Sequence, residues 1–160
     1  MAEYKISFIV DKDEKCAITK NIMCALRKWF NPLEDILKKA EMHREFPFLA
    51  AYDGDKCVGF AALKIHNAYT ADIFNIGVLE EYHGRGIGSA LVAACEAYCR
   101  DGGAVFLTVK TLDASVDYAP YEATRAFYSK AGFLPLEVFP ELWNKENPCL
   151  FLAKYLGAPS

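Results

Sequence analysis

Apolar and polar residues alternate from Tyr4 to Val10, the period of a half-buried strand. Apolar positions then recur at helical spacing from about Glu14 to Phe30. Asn31-Pro32-Leu33-Glu34 follows, which offers an N-cap, a proline at the first helical position and an acid three residues after the cap, so a second helix is predicted to about Arg44. Phe48 to Tyr52 and Lys56 to His66 flank Asp53-Gly54, the pattern of a hairpin. Ala71 to Val78 reads as a further strand. Beyond it, Ile87 to Arg100 carries apolar residues at 87, 91, 94, 95 and 98, near helical spacing, and Asp101-Gly102-Gly103 stops it. Ala104 to Lys110 is almost continuously apolar, as a buried parallel strand would be. A helix from about Tyr121 to Ala131 and strands from Phe133 to Val138 and Cys149 to Tyr155 complete the order β-α-α-β-β-β-α-β-α-β-β. This mixture of α and β elements holds no repeat, linker or low-complexity segment.

Composition narrows the class. With 160 residues, 53% of them apolar or aromatic, the chain can build one core and is too short for two ordinary domains, so residues 1–160 are expected to form one domain. A net charge of −3 without an arginine-rich run argues against nucleic acid as a partner; such an acidic balance suits a cationic acceptor, though a charge that small decides little. Six cysteines, at 16, 24, 57, 95, 99 and 149, include no C-x-x-C pair. The start MAEYKISFIV lacks the basic, apolar pattern of a signal peptide, so reduced thiols and a cytoplasmic location are expected. Cys95 and Cys99 lie one helical turn apart and read as small packing residues. His43, His66 and His83 form no metal-ligand spacing, and no metal is expected. No apolar run approaches membrane-spanning length.

The chemistry concentrates where Ile73 to Leu91 reads IFNIGVLEEYHGRGIGSAL, an apolar strand leading through glycines 84, 86 and 88 into a helix. Glycines permit positive φ and close backbone approach, and the free N–H groups of a helix start attract an anion. A P-loop would need Gly-Lys-Ser/Thr, which occurs nowhere in the chain. A dinucleotide fingerprint beginning at Gly84 and Gly86 would need its third small residue where Ser89 stands, with Asp113 as its ribose acid. The three strands predicted before the glycines contradict its β-α-β start.

His83-Gly84-Arg85-Gly86-Ile87-Gly88 resembles instead the [Q/R]-x-x-G-x-[G/A] signature of the GCN5-related N-acetyltransferases (GNAT), with His83 in the Gln/Arg place. A second segment, TRAFYSKAGF from Thr124 to Phe133, resembles that family's A-x-x-F-Y-x-K-x-G-F element. The likeness, to a bacterial-type small acetyltransferase, covers about residues 72 to 133. It implies the GNAT acyl-CoA N-acyltransferase fold, a mixed central sheet of about seven strands flanked by about four helices. Acetyl-CoA as co-substrate would lie in a V between the Ala71–Val78 and Ala104–Lys110 strands. Ile76, Gly77 and Val78 would hydrogen-bond its pantetheine arm, and the stretch His83, Gly84, Arg85, Gly86, Ile87, Gly88 and Ser89 would hold its pyrophosphate. Tyr128 falls where the family carries its general acid. Asp72, six residues before Val78, falls where the histone-acetylating branch carries a glutamate base; Glu80, Glu81 and Glu122 are the runners-up. The ribosomal-protein alanine acetyltransferases use a glutamate and an asparagine where this chain has Thr108 and Tyr121. The implied reaction is direct acetyl transfer to a primary amine, on a small molecule or peptide, with Tyr118, Tyr121 and Trp143 as candidate walls for the acceptor. The alternative is an acyl-CoA-binding module without catalysis, and a homodimer is left open.

Overall fold

The computed structural model describes residues 3–158. Their elements follow the expected order: β1 (Lys5–Phe8), α1 (Lys12–Cys24), α2 (Leu33–His43), β2 (Phe48–Asp53), β3 (Lys56–Ile65), β4 (Thr70–Val78), α3 (Ile87–Asp101), β5 (Phe106–Leu112), α4 (Ala119–Lys130), β6 (Leu134–Asn144) and β7 (Asn147–Tyr155). All seven strands join one mixed sheet in the order β1-β2-β3-β4-β5-β7-β6. Every neighbouring pair is antiparallel except β4 and β5.

Glycines show which helix covers which face. A side chain added at Gly77 would meet Leu26 and Ile22 from the α1 region, whereas one at Gly59 would approach Leu91 of α3. The helices therefore cover opposite faces of β3 and β4, and the largest wholly buried side chains, Phe48, Phe60, Met23, Ile36, Leu63 and Leu91, fill the space between sheet and helices. Burial of this kind is the main favourable term for a domain of this size.

The parallel pair is short. It runs only through Thr70↔Phe106, Ala71↔Leu107 and Asp72↔Thr108, after which the strands part. On its other side β4 stays paired with β3, but the register steps from Leu63↔Ile73 to Ala62↔Asn75, leaving Phe74 as an extra residue. Such a bulge bends its strand. β5 meanwhile continues along β7 for seven pairs, Phe106↔Tyr155 to Leu112↔Cys149. A bent strand beside a continuous one opens the V that the resemblance implied.

Three boundaries depart from expectation. α1 stops at Cys24 rather than near Phe30, because the Ala25 and Leu26 N–H groups turn to the carbonyls three residues back and the chain leaves the helical path. Asn31 does not cap α2. Its side chain bonds backward to the Arg27 carbonyl and accepts from Arg27 Nε at 3.0 Å, so Pro32 becomes the cap position, without a side-chain hydrogen bond. β6 also runs on to Asn144, as an edge strand exposed along nearly its whole length.

Candidate active site

The glycine turn is open and rich in donors. Gly84 and Gly86 hold φ of 75° and 83°, where a side chain would strain the backbone, and nothing lies within 4 Å of the Cβ position at either. Gly86 caps α3 without a side-chain hydrogen bond, and the first backbone bond of that helix runs from Ala90 N to Gly86 O. The N–H groups from Gly84 to Ser89 therefore have no backbone acceptor among the described residues, and they sit at the positive end of a fifteen-residue helix. Open space plus free donors is the arrangement a pyrophosphate requires. Gly88 serves packing instead: a Cβ there would lie 3.0 Å from the Phe127 ring of α4. A cleft of about 270 Å³ continues from this turn between α3 and α4, lined by Ser89, Val92, Glu96, Phe127, Lys130 and Ala131.

The side chains of the turn point elsewhere. Arg85 stacks its guanidinium 4.8 Å from the Tyr82 ring centre and donates to Tyr4 Oη at 3.3 Å. His83 Nε2 bonds the Val78 carbonyl at 2.6 Å, which fixes a proton on that nitrogen because a carbonyl only accepts. The ring also meets Trp29 edge-on at 5.7 Å. In the Gln/Arg place, His83 thus ties the turn back to the end of β4.

Along β4, Ile76, Gly77 and Val78 pair with Ala61, Phe60 and Gly59 on the β3 side, while β5 has already departed on the other. Apart from the Val78 carbonyl, which His83 holds, that edge of the backbone is left for an extended ligand.

Tyr128 and Asp72 come together at the floor of the V. Tyr128 is 5% exposed and its ring lies edge-on to Phe133. Among the described residues its hydroxyl bonds no protein group, and unlike Thr111 Oγ1 it is not wholly sealed from solvent. Burial pushes its pKa well up, and the nearby Asp72 charge pushes it further. Asp72 is 2% exposed; its Oδ1 accepts from Thr108 Oγ1 at 2.6 Å and from Lys110 Nζ at 3.4 Å. Thr108, noted only as the absence of an acid on β5, therefore orients the acid on β4.

The other candidates fall elsewhere. Glu80 and Glu81 form surface ion pairs with Lys28 at 2.9 Å and Lys56 at 3.9 Å, and Glu122 is exposed in the first turn of α4. Tyr118 and Tyr121 donate to the carbonyls of Lys28 and Trp29, and Trp29 Nε1 donates to the Pro120 carbonyl, so these rings join the α1–α2 connection to the start of α4. Trp143 lies on the exposed edge strand. Asp113 accepts from the Ser115 N–H in a tight loop. All six cysteines are free thiols, with Cys95 and Cys99 buried. Among the described residues no cluster of three metal-ligating side chains occurs, and no helix is long and apolar enough to cross a membrane.

One buried network escaped sequence reading. His43 of α2 is wholly buried among Phe46, Phe48, Phe60 and Phe74, with Nδ1 at 2.8 Å from Thr19 Oγ1 and Nε2 at 2.8 Å from Asn75 Oδ1. Burial lowers its pKa to about 4. The partners lie 24 and 32 residues away, so no local spacing signals the link.

Comparison with known proteins now bears on this geometry. Residues 16–133 match the acetyltransferase (GNAT) family. The mycothiol acetyltransferase of Corynebacterium efficiens is 33% identical over 102 residues, which is 62% of this chain; the chain spans about a third (32%) of that relative's length. A GNAT-family protein from Desulfovibrio desulfuricans has a like fold, with a TM-score of 0.82 at 19% identity over 97% of this chain and 100% of that one. A Salmonella typhimurium protein solved with its cofactor acetyl-CoA superposes with a TM-score of 0.70 at 18% identity, covering 98% of both chains. The structural likenesses concern the fold, while the family match spans both the glycine turn and the Tyr128 segment: this chain belongs to the GNAT family of acetyltransferases.

Proposed function

We propose that this chain, as one catalytic unit, is an N-acetyltransferase that moves an acetyl group from acetyl-CoA directly to a primary amine. The observation that carries the reading is the run of unpaired N–H groups from Gly84 to Ser89 at the mouth of a V whose floor holds the unpaired hydroxyl of Tyr128. These N–H groups bind the pyrophosphate, assisted by the α3 dipole. The edge of Ile76, Gly77 and Val78 that β5 leaves takes the pantetheine as an added strand, with the Val78 carbonyl already held by His83. Lys130, at the mouth of the α3–α4 cleft, supplies a cation for the nucleotide end.

Bound acetyl-CoA supplies an activated acetyl group in thioester linkage. The chain's residues manage the protons. An amine of pKa about 10 is only about 0.1% neutral at pH 7, a deficit of about 4 kcal/mol. Asp72, held by Thr108 and Lys110, takes the proton that the amine loses, directly or through one water. One C–N bond forms and one C–S bond breaks, and the departing sulfur takes the Tyr128 proton. The neighbouring carboxyl then returns a proton to the phenol. A phenol pushed above its ordinary pKa stays protonated at neutral pH, the form needed to donate.

The test is release of free thiol from acetyl-CoA in the presence of a mixed amine library. Turnover is expected, and Tyr128→Phe is expected to lower it about tenfold or more while leaving acetyl-CoA affinity unchanged. Tight acetyl-CoA binding without turnover on any amine would support the non-catalytic acyl-CoA module instead. Full activity in Tyr128→Phe would remove the phenol from the mechanism.

A further inference from the structure

The charges around Asp72 on the α1 side of the sheet do not cancel. Phe60 on β3 faces α1, and alternation along β3 puts Lys64 on the same face. Lys64 stands opposite Asp72 in the β3–β4 register, and Thr108 stands opposite Asp72 on β5, so the three side chains form one row across the sheet. Lys110, two residues beyond Thr108, lies on that face too. Both lysines are half-buried against aromatic rings, Lys64 Nζ 5.8 Å from the Phe74 ring centre and Lys110 Nζ 5.2 Å from that of Phe151. Lys110 pairs with Asp72, but among the described residues no carboxylate lies within 4.0 Å of Lys64. Two ammonium groups thus face one carboxylate, a surplus of one positive charge around Asp72. The half-buried Lys39 of α2 has Asp35 one turn earlier on its own helix to attract it.

Resting on the acetyltransferase reading above, we propose that the acceptor is an amino acid, with Asp72 drawing its amino group and Lys64, aided by Lys110, holding its carboxylate. An amino acid offers one charge to each side of this pattern, its ammonium to Asp72 and its carboxylate to Lys64. Directly opposed residues in an antiparallel pair stand about 5 Å apart at Cβ, close enough for one small zwitterion to meet both side chains. The bulged Phe74 and its edge-on partner Phe46, with ring centres 5.3 Å apart, give the side chain an apolar surface. The bond changes are those already described, and the product is an N-acetylamino acid. The chain's overall charge of −3 pointed weakly to a cationic acceptor, but attraction at the site is set by groups within a few ångströms.

The test compares amino acids with their amides, which keep the amine and lose the carboxylate. Titration calorimetry of the CoA-loaded protein should show at least tenfold tighter binding of the best amino acid than of its amide. Thiol release should show the same preference in kcat/KM. Lys64→Gln should lose about tenfold on the acid, with amide use and acetyl-CoA affinity unchanged, and Lys64→Arg should restore part of the preference. Equal use of acids and amides by the wild type, or a preference that survives Lys64→Gln, would overturn the assignment while leaving the transferase intact. If acetyl-CoA binds and no amine of any kind releases thiol, the acetyltransferase reading itself fails and this one with it.

Discussion

His43 shows how one residue sets the behaviour of its surroundings. In the unfolded chain an imidazole titrates near 6.5, whereas burial among four phenylalanines lowers its pKa to about 4. Between those values the unfolded state binds more protons than the folded one, so stability falls as pH drops from about 6.5 to about 4 and levels off below. The shift corresponds to at most roughly 3 kcal/mol. Urea unfolding of the wild type at pH 7, 5.5 and 4.5 should show that loss, and His43→Gln should be less stable at pH 7 by about 1–3 kcal/mol, through lost hydrogen bonds and packing, but flatter across the window. A variant with the same acid slope as the wild type would place the titration elsewhere. Asn75, held by this imidazole, belongs to the stretch of β4 that borders the V, so the same pH window tests how firmly that strand is held.

Among the elements, the contact of the α1 region with β4 leaves little room. Gly77 is buried, and a Cβ there would lie 3.1 Å from Leu26 Cδ1 and 3.3 Å from Ile22 Cγ2. Only the absence of a side chain lets the helix close onto the strand that carries the proposed pantetheine edge. Gly77→Val is expected to destabilise the protein by about 1–3 kcal/mol through overpacking, seen as a lower urea midpoint at unchanged m. A midpoint within error of the wild type would mean that α1 can move away freely. The bulge at Phe74 works at the same scale, since it turns β4 from β5 and so makes the V a property of strand register rather than of any loop.

At the scale of the molecule, a ligand that binds only the folded state stabilises the whole domain. CoA at a hundredfold excess over its Kd should add about 2.7 kcal/mol, raising Tm by roughly 5–10 °C for a domain of this size. Gly86→Val, which puts a branched side chain at φ 83° beside the free donors, should abolish that rise; an undiminished shift would move the pyrophosphate site away from the turn. The elements and their order were legible in the residue pattern because periodicity, Asp-Gly and Gly-Gly punctuation are local, and the glycine turn was legible because its chemistry lies in six consecutive backbone N–H groups. The Asn31 cap was misread because Asn31 Oδ1, the atom a cap would use, accepts instead from a competing donor, Arg27 Nε, that only the folded turn brings close. Sequence likewise named Asp72 and Tyr128 as separate candidates. Their meeting, the Thr108 and Lys110 contacts and the Thr19–His43–Asn75 link were decided by tertiary structure, because those partners come from different strands and helices and only strand register and helix packing bring them within hydrogen-bond or Coulomb range.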